Sequence, residues 1–490
     1  MTLRGKELLE KAEVVIYDYL ANEEFLRYAP AAAERIYVGK KGGDHTLSQD
    51  GINDLLVRKG TDKVVVRLKG GDPFIFGRGG EEAQVLFANG IPFEVVPGIS
   101  AAVAVPAYAG IPLSHRDFTA SIAFITGHER ADKDGQDSKV DWAKLATGAG
   151  TLVFFMGVKN LPEICANLVQ NGRSKDTPAA VIRWGTTPMQ QTITGTLGDI
   201  VKKVQDAGLK APAITVVGKV VSCREELNWF EHRPLFGRKI VITRAREQAS
   251  DFKSALEALG AHCIEFPTIA IAPPDSWDPL DRALEKLRQY DWIIFTSVNG
   301  VDFFMQRLLA AGMDIRELHG VRLAAIGPKT AEALEKLMLR PDLVPAEYRA
   351  EGILDSLSGS NLSGKRFLMP RALAAREILP EKLREWGAAV DVVPAYQTLL
   401  PTENAAEVVE LFRRGEIDCL TFTSSSTVKN FFSLVEDANV LPFLQRTTIA
   451  SIGPITAETA AKYGLKASIM PSEYTIDGLV AGIVAYFRGS

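Results

Sequence analysis

RLKGGDPFIFGRGGEE, Arg67 to Glu82, follows the β-branched run Val64-Val65-Val66 and leads into a helical stretch. A glycine-rich turn leaving the end of a strand is where open α/β sheets hold ligands. Gly70 and Gly71 would let a ligand approach bare backbone, and Asp72 could accept hydrogen bonds from hydroxyls or an amine. Gly77, Gly79 and Gly80 would allow a tight turn. No GxxxxGK[ST] occurs, so this is not a P-loop. Residue chemistry alone leaves a second reading open, a plain glycine-rich connection.

Outward from this stretch the alternation continues. Val64-Val65-Val66, Ile122-Ala123-Phe124-Ile125 and Leu152-Val153-Phe154-Phe155 read as buried strands. Ser48 to Arg58 reads as a helix, with Ser48 as N-cap and Ile52, Leu55 and Leu56 as its apolar stripe. The fold class is α/β. The chain of 490 residues is long enough for about three domains. At 46% hydrophobic and 24% charged it can bury an ordinary core without disulfides or metals. A net charge of −4 argues against a nucleic-acid coat or a basic membrane-surface protein.

Cys165, Cys223, Cys263 and Cys419 form no CxxC pair, and the histidines lack ligand spacing. No metal site is expected, and a cytoplasmic, reducing location fits. The uncharged run Val95 to Ser114 is broken by Pro97, Gly98, Pro106, Gly110 and Pro112, so it is not read as a membrane span. Met1 leads into a polar segment rather than an apolar signal core.

The span Asn228 to Gly237 reads as a linker, and beyond it lies an internal duplication. GRKIVITRA at Gly237 resembles GKRFLMPRA at Gly364, and Phe295-Thr296-Ser297 matches Phe422-Thr423-Ser424. AIGPKTAEAL at Ala325 matches SIGPITAETA at Ser451, and PAEYRAEGIL at Pro345 matches PSEYTIDGLV at Pro471. The blocks keep one order and offsets of 126 or 127 residues. Two similar α/β lobes are implied, with a cleft between them as a common kind of ligand site. Helices starting after the Ser, Thr and Gly turns would offer free N–H groups to anions, although ordinary N-capping explains any single turn.

The first half resembles the uroporphyrinogen-III C-methyltransferases, a family of tetrapyrrole methylases. The likeness rests on KGGDPFIFGRGGEE, VVPGISAAVAVPAYAGIPLSHRD at Val95, YVGKKGG at Tyr37, FITGH at Phe124, FFMG at Phe154, IRWGTT at Ile182 and PAITVVGKVV at Pro212. It implies two α/β lobes holding S-adenosylmethionine, contacted by Gly70, Gly71, Asp72, Ile75, Ser100, Ala101, Met156, Gly185 and Ala213. Met156 alone could equally be core filler. The implied reaction methylates uroporphyrinogen III at two carbons to give precorrin-2. Lys40, Lys41, Arg78, His115 and Arg116 would face the carboxylates of that substrate. The family opens with a strand and a loop of the type GxGPGDxxLLT. Here MTLRGKELLEKAEVVIYD starts about where that loop ends, and Tyr19 stands where a basic residue is usual. The sheet is therefore expected to lack a central strand and the cofactor pocket to be partly open.

The second half resembles uroporphyrinogen-III synthase, through VITRAREQA, FTSVNGV, IGPKTA, VVPAYQT, FTSSSTV, IGPITA and SEYTIDGL. That family has two flavodoxin-like lobes, which closes hydroxymethylbilane with inversion of its last pyrrole. Tyr396 matches the family's acid, which would protonate the departing hydroxyl. Arg244, Thr296, Ser297, Ser424 and Thr456 would hold carboxylates. The expected boundaries are methylase 1–229, linker 230–236 and synthase 237–490, with lobe one at 237–270 plus 400–490 and lobe two at 271–399. The resemblance also implies a homodimer through the methylase half.

Overall fold

The computed structural model describes residues 1–39, 47–127, 140–244, 246–373, 378–401, 405–435 and 439–489. It divides into two compact units. One is Met1–Arg238 with Glu257–His262, the other Lys239–Leu256 with Cys263–Ser490.

In the first unit, β1 (Val14–Tyr17) lies between β2 (Glu34–Tyr37) and β3 (Val65–Leu68), all parallel. Helices α1 (Leu3–Leu9), α2 (Gln49–Gly60) and α3 (Gly79–Ala88) belong to this lobe. Ser48 caps α2, its hydroxyl accepting the Gly51 N–H at 3.1 Å, and Ile52, Leu55 and Leu56 are buried as their spacing predicts. The β3 strand pairs only with β1 among the described residues. Along its far side runs a groove of about 500 Å³, walled by Val66, Leu68, Leu86, Phe93 and Val95.

The second lobe of this unit is a mixed sheet. Its strands are β4 (Ile122–Thr126), β5 (Thr151–Phe155), β6 (Pro178–Arg183), β7 (Gln191–Thr196) and β8 (Ala213–Val217), in the order β4-β5-β8-β6-β7. Helix α4 (Ala101–Tyr108) packs on β5 and β8 through Ala102 and Val105. The segment read as a linker is no loose connection. Phe230 and Leu235 are buried, Phe230 meets the rings of Tyr108 and Phe236, and Glu231 accepts from Arg224, Gln190 and Thr192. Its aromatic residues gain more from burial than a linker would from freedom.

The second unit has two sheets. Strands β9 (Lys239–Ile242) and β10 (His262–Glu265) join β16 (Cys419–Phe422) and β17 (Thr448–Ser451) in the order β10-β9-β16-β17. Between them in sequence lie β11 (Ala270–Ala272), β12 (Trp292–Phe295), β13 (Arg322–Ala325), β14 (Arg366–Ala372) and β15 (Ala389–Leu399), ordered β11-β15-β14-β12-β13. The chain thus starts one lobe, builds the other and returns. The duplication is visible in backbone detail. A Cβ at Gly352 would collide with the Glu347 carbonyl oxygen, and one at Gly478 with that of Glu473. Asp291 accepts the Arg366 N–H at 2.9 Å, and its counterpart Asp418 accepts that of Lys239 at 2.8 Å.

Candidate functional site

In the first unit β3 delivers its chain into Gly70 and Gly71, both exposed, with Gly71 at φ 81°. Asp72 pins this turn. One carboxylate oxygen accepts the Phe74 N–H at 2.8 Å, the other the Gly98 N–H at 2.9 Å. Asp72 is therefore first a clamp between two loops, with its remaining lone pairs for a ligand. The clamp sets Gly71 against Ser100 and Ala101, where Ser100 is buried and caps α4 by accepting the Ala102 N–H at 3.3 Å. The next turn along α4 meets Gly185, where any Cβ would press into Val105. Ala213 pairs with Arg183 just before this turn. Ile75, half-buried, sits in the loop that leans on β5 through the Phe76–Phe155 ring contact at 4.9 Å. Met156 follows Phe155 and is 53% exposed, which removes the core-filler reading.

One signal was invisible in the sequence. Phe76, Met156, Trp184 and Thr186 all hold left-handed backbone, at φ 51° to 71°. Bulky residues reach this region only when the surroundings over-determine them, and such strain gathers at functional sites. All four stand within two residues of Ile75, Met156 or Gly185. On and beside β3, just before the glycine turn, lies a largely half-buried charge cluster that sequence reading also missed. Arg67 donates to Asp18 at 2.8 Å, and Lys69 to Glu82 at 3.0 Å. Burial, then the nearby Arg67, pulls the Lys69 ammonium below its ordinary pKa.

The expected substrate cations fare less evenly. Lys40 and Lys41 lie outside the described residues. Arg78 pairs with Glu81 at 2.5 Å on the first turn of α3, and both side chains are exposed. His115 accepts the Asp117 N–H at 3.2 Å through Nδ1 and stacks on Phe118, while Arg116 is exposed.

In the second unit Tyr396 lies on β15 just past a bulge in its pairing with β14, where Arg371 faces Pro394 and Ala372 faces Tyr396. Bulges re-aim side chains. The ring stacks on Phe303 at 5.9 Å, and the hydroxyl lies 3.0 Å from Ser297 Oγ. Ser297 and Thr296 form the turn between β12 and α5 (Val298–Ala310), and Ser297 caps α5 by accepting the Gly300 N–H at 3.0 Å. Ser424 caps α6 (Ser425–Val435) the same way, accepting the Thr427 N–H at 3.2 Å and bonding Ser426. Arg244 is half-buried at the end of β9, whereas its counterpart Arg371 is buried. Thr456 is buried in α7 (Pro454–Lys462) rather than presented to a ligand, because its side of the helix turns to the sheet. Of the expected synthase residues, the structure brings Ser297 and Tyr396 into direct contact.

The family model described as "Tetrapyrrole (Corrin/Porphyrin) Methylases" matches residues 1–201, and "Uroporphyrinogen-III synthase HemD" matches 250–481. A "Porphyrin biosynthesis protein HemD" of Ruminiclostridium josui is 39% identical over 98% of this chain and 94% of its own. The chain belongs to this two-part HemD family. The chain is also 51% identical to an S-adenosyl-L-methionine-dependent uroporphyrinogen III methyltransferase of Methanosarcina barkeri, over 46% of this chain and 89% of that one. A uroporphyrinogen-III C-methyltransferase of Bacillus subtilis is 40% identical over 69% of this chain and 68% of its own. Among the described residues, no helix is long and apolar enough to cross a membrane and no side-chain cluster could hold a metal ion.

Proposed function

We propose that the chain catalyses two consecutive steps of tetrapyrrole synthesis. The second unit closes hydroxymethylbilane to uroporphyrinogen III with inversion of the last pyrrole. The first unit then methylates that product at two carbons to precorrin-2. The observation that carries the reading is likeness along nearly the whole chain to one relative that spans both parts.

The residues of the first unit fit S-adenosylmethionine. Gly70 and Gly71 present bare backbone, Met156 an exposed thioether and Asp72 a negative charge for a cationic donor. Bound there, the cofactor supplies a methyl group activated on a sulfonium. The chain's part is to align that donor with the acceptor carbon, which the Asp72 clamp between two loops does. In the second unit Tyr396 donates its phenol proton to the departing hydroxyl without placing a full charge beside the tetrapyrrole. Thr296, Ser424 and Arg244 serve carboxylates of the substrate, as His115 and Arg116 do in the first unit. The methylase occupies 1–229 and the synthase 237–490, in a homodimer through the methylase. None of the described cysteines is in a disulfide, which suits a cytoplasmic setting.

A second reading has a specific observation behind it. The groove beside β3 reaches Gly71, Pro73 and Gly98, so the cofactor turn borders a strand edge unpaired among the described residues. In that reading the chain is a synthase whose first unit binds S-adenosylmethionine weakly. One experiment separates the two. The purified chain is given hydroxymethylbilane, with and without S-adenosylmethionine, and products are resolved by isomer and mass. Isomer III carrying two added methyl groups supports the first reading, and unmethylated isomer III the second. Isomer I alone, the product of spontaneous closure, defeats both. Tyr396→Phe should slow formation of isomer III by about 100-fold, with the unfolding temperature unchanged.

A further inference from the structure

Ser297 was expected to hold a substrate carboxylate, but its surroundings assign it another task. Its Oγ has two neighbours among the described residues, the Gly300 N–H and the Tyr396 hydroxyl, both at 3.0 Å. Gly300 can only donate, so it takes one serine lone pair. Its second lone pair and its own proton can both face the phenol oxygen, so either hydroxyl can donate across this contact. Each piece of this geometry is fixed by the fold. Gly300 sits where a Cβ would be 3.0 Å from the Pro370 carbonyl oxygen, which brings the first turn of α5 hard against β14. The bulge at Arg371/Ala372 aims Tyr396, and Phe303, one turn further along α5, stacks on its ring.

We propose that Ser297 is the positioning residue for Tyr396. This rests on the reading of Tyr396 as the proton donor. By donating to the phenol oxygen, Ser297 leaves the phenol's own proton free to point at the substrate. That proton passes to the departing hydroxyl as its C–O bond breaks, giving water, a cation on the tetrapyrrole and a phenolate on Tyr396. The Ser297 hydrogen bond stabilises this phenolate, since bonds to a charged acceptor are the stronger ones. The proton released when the ring closes restores the phenol. Ser424, at the matching position of the other lobe, has the cap but bonds Ser426 instead of a phenol.

The test uses the full chain with Ser297→Gly, Ser297→Thr, Tyr396→Phe and the Ser297→Gly/Tyr396→Phe double variant. Glycine is tolerated at an N-cap, so Ser297→Gly removes the hydroxyl while keeping the helix start. Its kcat for isomer III should fall about 10- to 100-fold with KM within about twofold. Ser297→Thr should restore kcat, and the double variant should be no slower than Tyr396→Phe alone. Wild-type kcat in Ser297→Gly, or additive losses in the double variant, overturn the proposal. An unchanged rate in Tyr396→Phe would instead remove the reading beneath it. A raised KM with unchanged kcat in Ser297→Gly would return the serine to carboxylate binding.

Discussion

The two lobes of the second unit were copied from one pattern, and they diverge in few places. Glycines at 352 and 478 meet the same kind of backbone carbonyl, and aspartates at 291 and 418 accept the same strand N–H. Serines at 297 and 424 cap the same helix. Only Ser297 faces a phenol, because the bulged β15 crosses its lobe and supplies Tyr396. What both lobes keep is what the fold needs. What one lobe alone has is where chemistry is to be sought.

The largest effect should come from the shared glycines. Gly352→Ala and Gly478→Ala each force a methyl into a backbone oxygen that cannot move aside, and each should cost about 3 kcal/mol or more. Thermal unfolding measures both, and similar losses would show the lobes to be equivalent in architecture. A loss confined to one would break the comparison. Next comes the cap. Ser424→Ala should cost about 1 kcal/mol by the same measurement. The smallest effect lies at strand starts. Lys239 pairs with Glu416 at 2.5 Å, whereas Arg366 bonds the neutral Gln289 at the matching place. Lys239 holds the Glu416 carboxyl below its ordinary value. A carboxyl lowered in the folded state adds stability above its unfolded pKa and loses it as pH falls through the folded one. Glu416→Gln should therefore cost less than about 1 kcal/mol near neutral pH and nothing in strong acid, as denaturant melts at both pH values would show.

A comparable contrast separates a strand of the first unit from one of the second. Among the described residues, β3 has one open edge and only half-buried residues, while β12, flanked on both sides, is buried throughout. The glycine turn that follows β3 was readable from composition, because no other residue accepts φ 81° so cheaply. The clamp by Asp72 was not readable, since its partners lie at Phe74 and at Gly98, in a separate loop. Nor was the left-handed backbone at Phe76, Met156 and Trp184, for which these residue types have no preference. The pairing of Arg78 and the burial of Thr456 were also illegible, since a charge or hydroxyl in a sequence shows neither its partner nor its depth.

By itself, the order of residues determined the α/β alternation, the helix cap at Ser48, the duplication and the family. Each of these rests on local propensity or on a repeated pattern written along one stretch of chain. Only the tertiary structure decided that Ser297 meets Tyr396, that the span after Trp229 is packed, and that β3 borders a groove. Those facts depend on which distant backbones lie side by side, and that is set by packing over the whole unit rather than by any one segment.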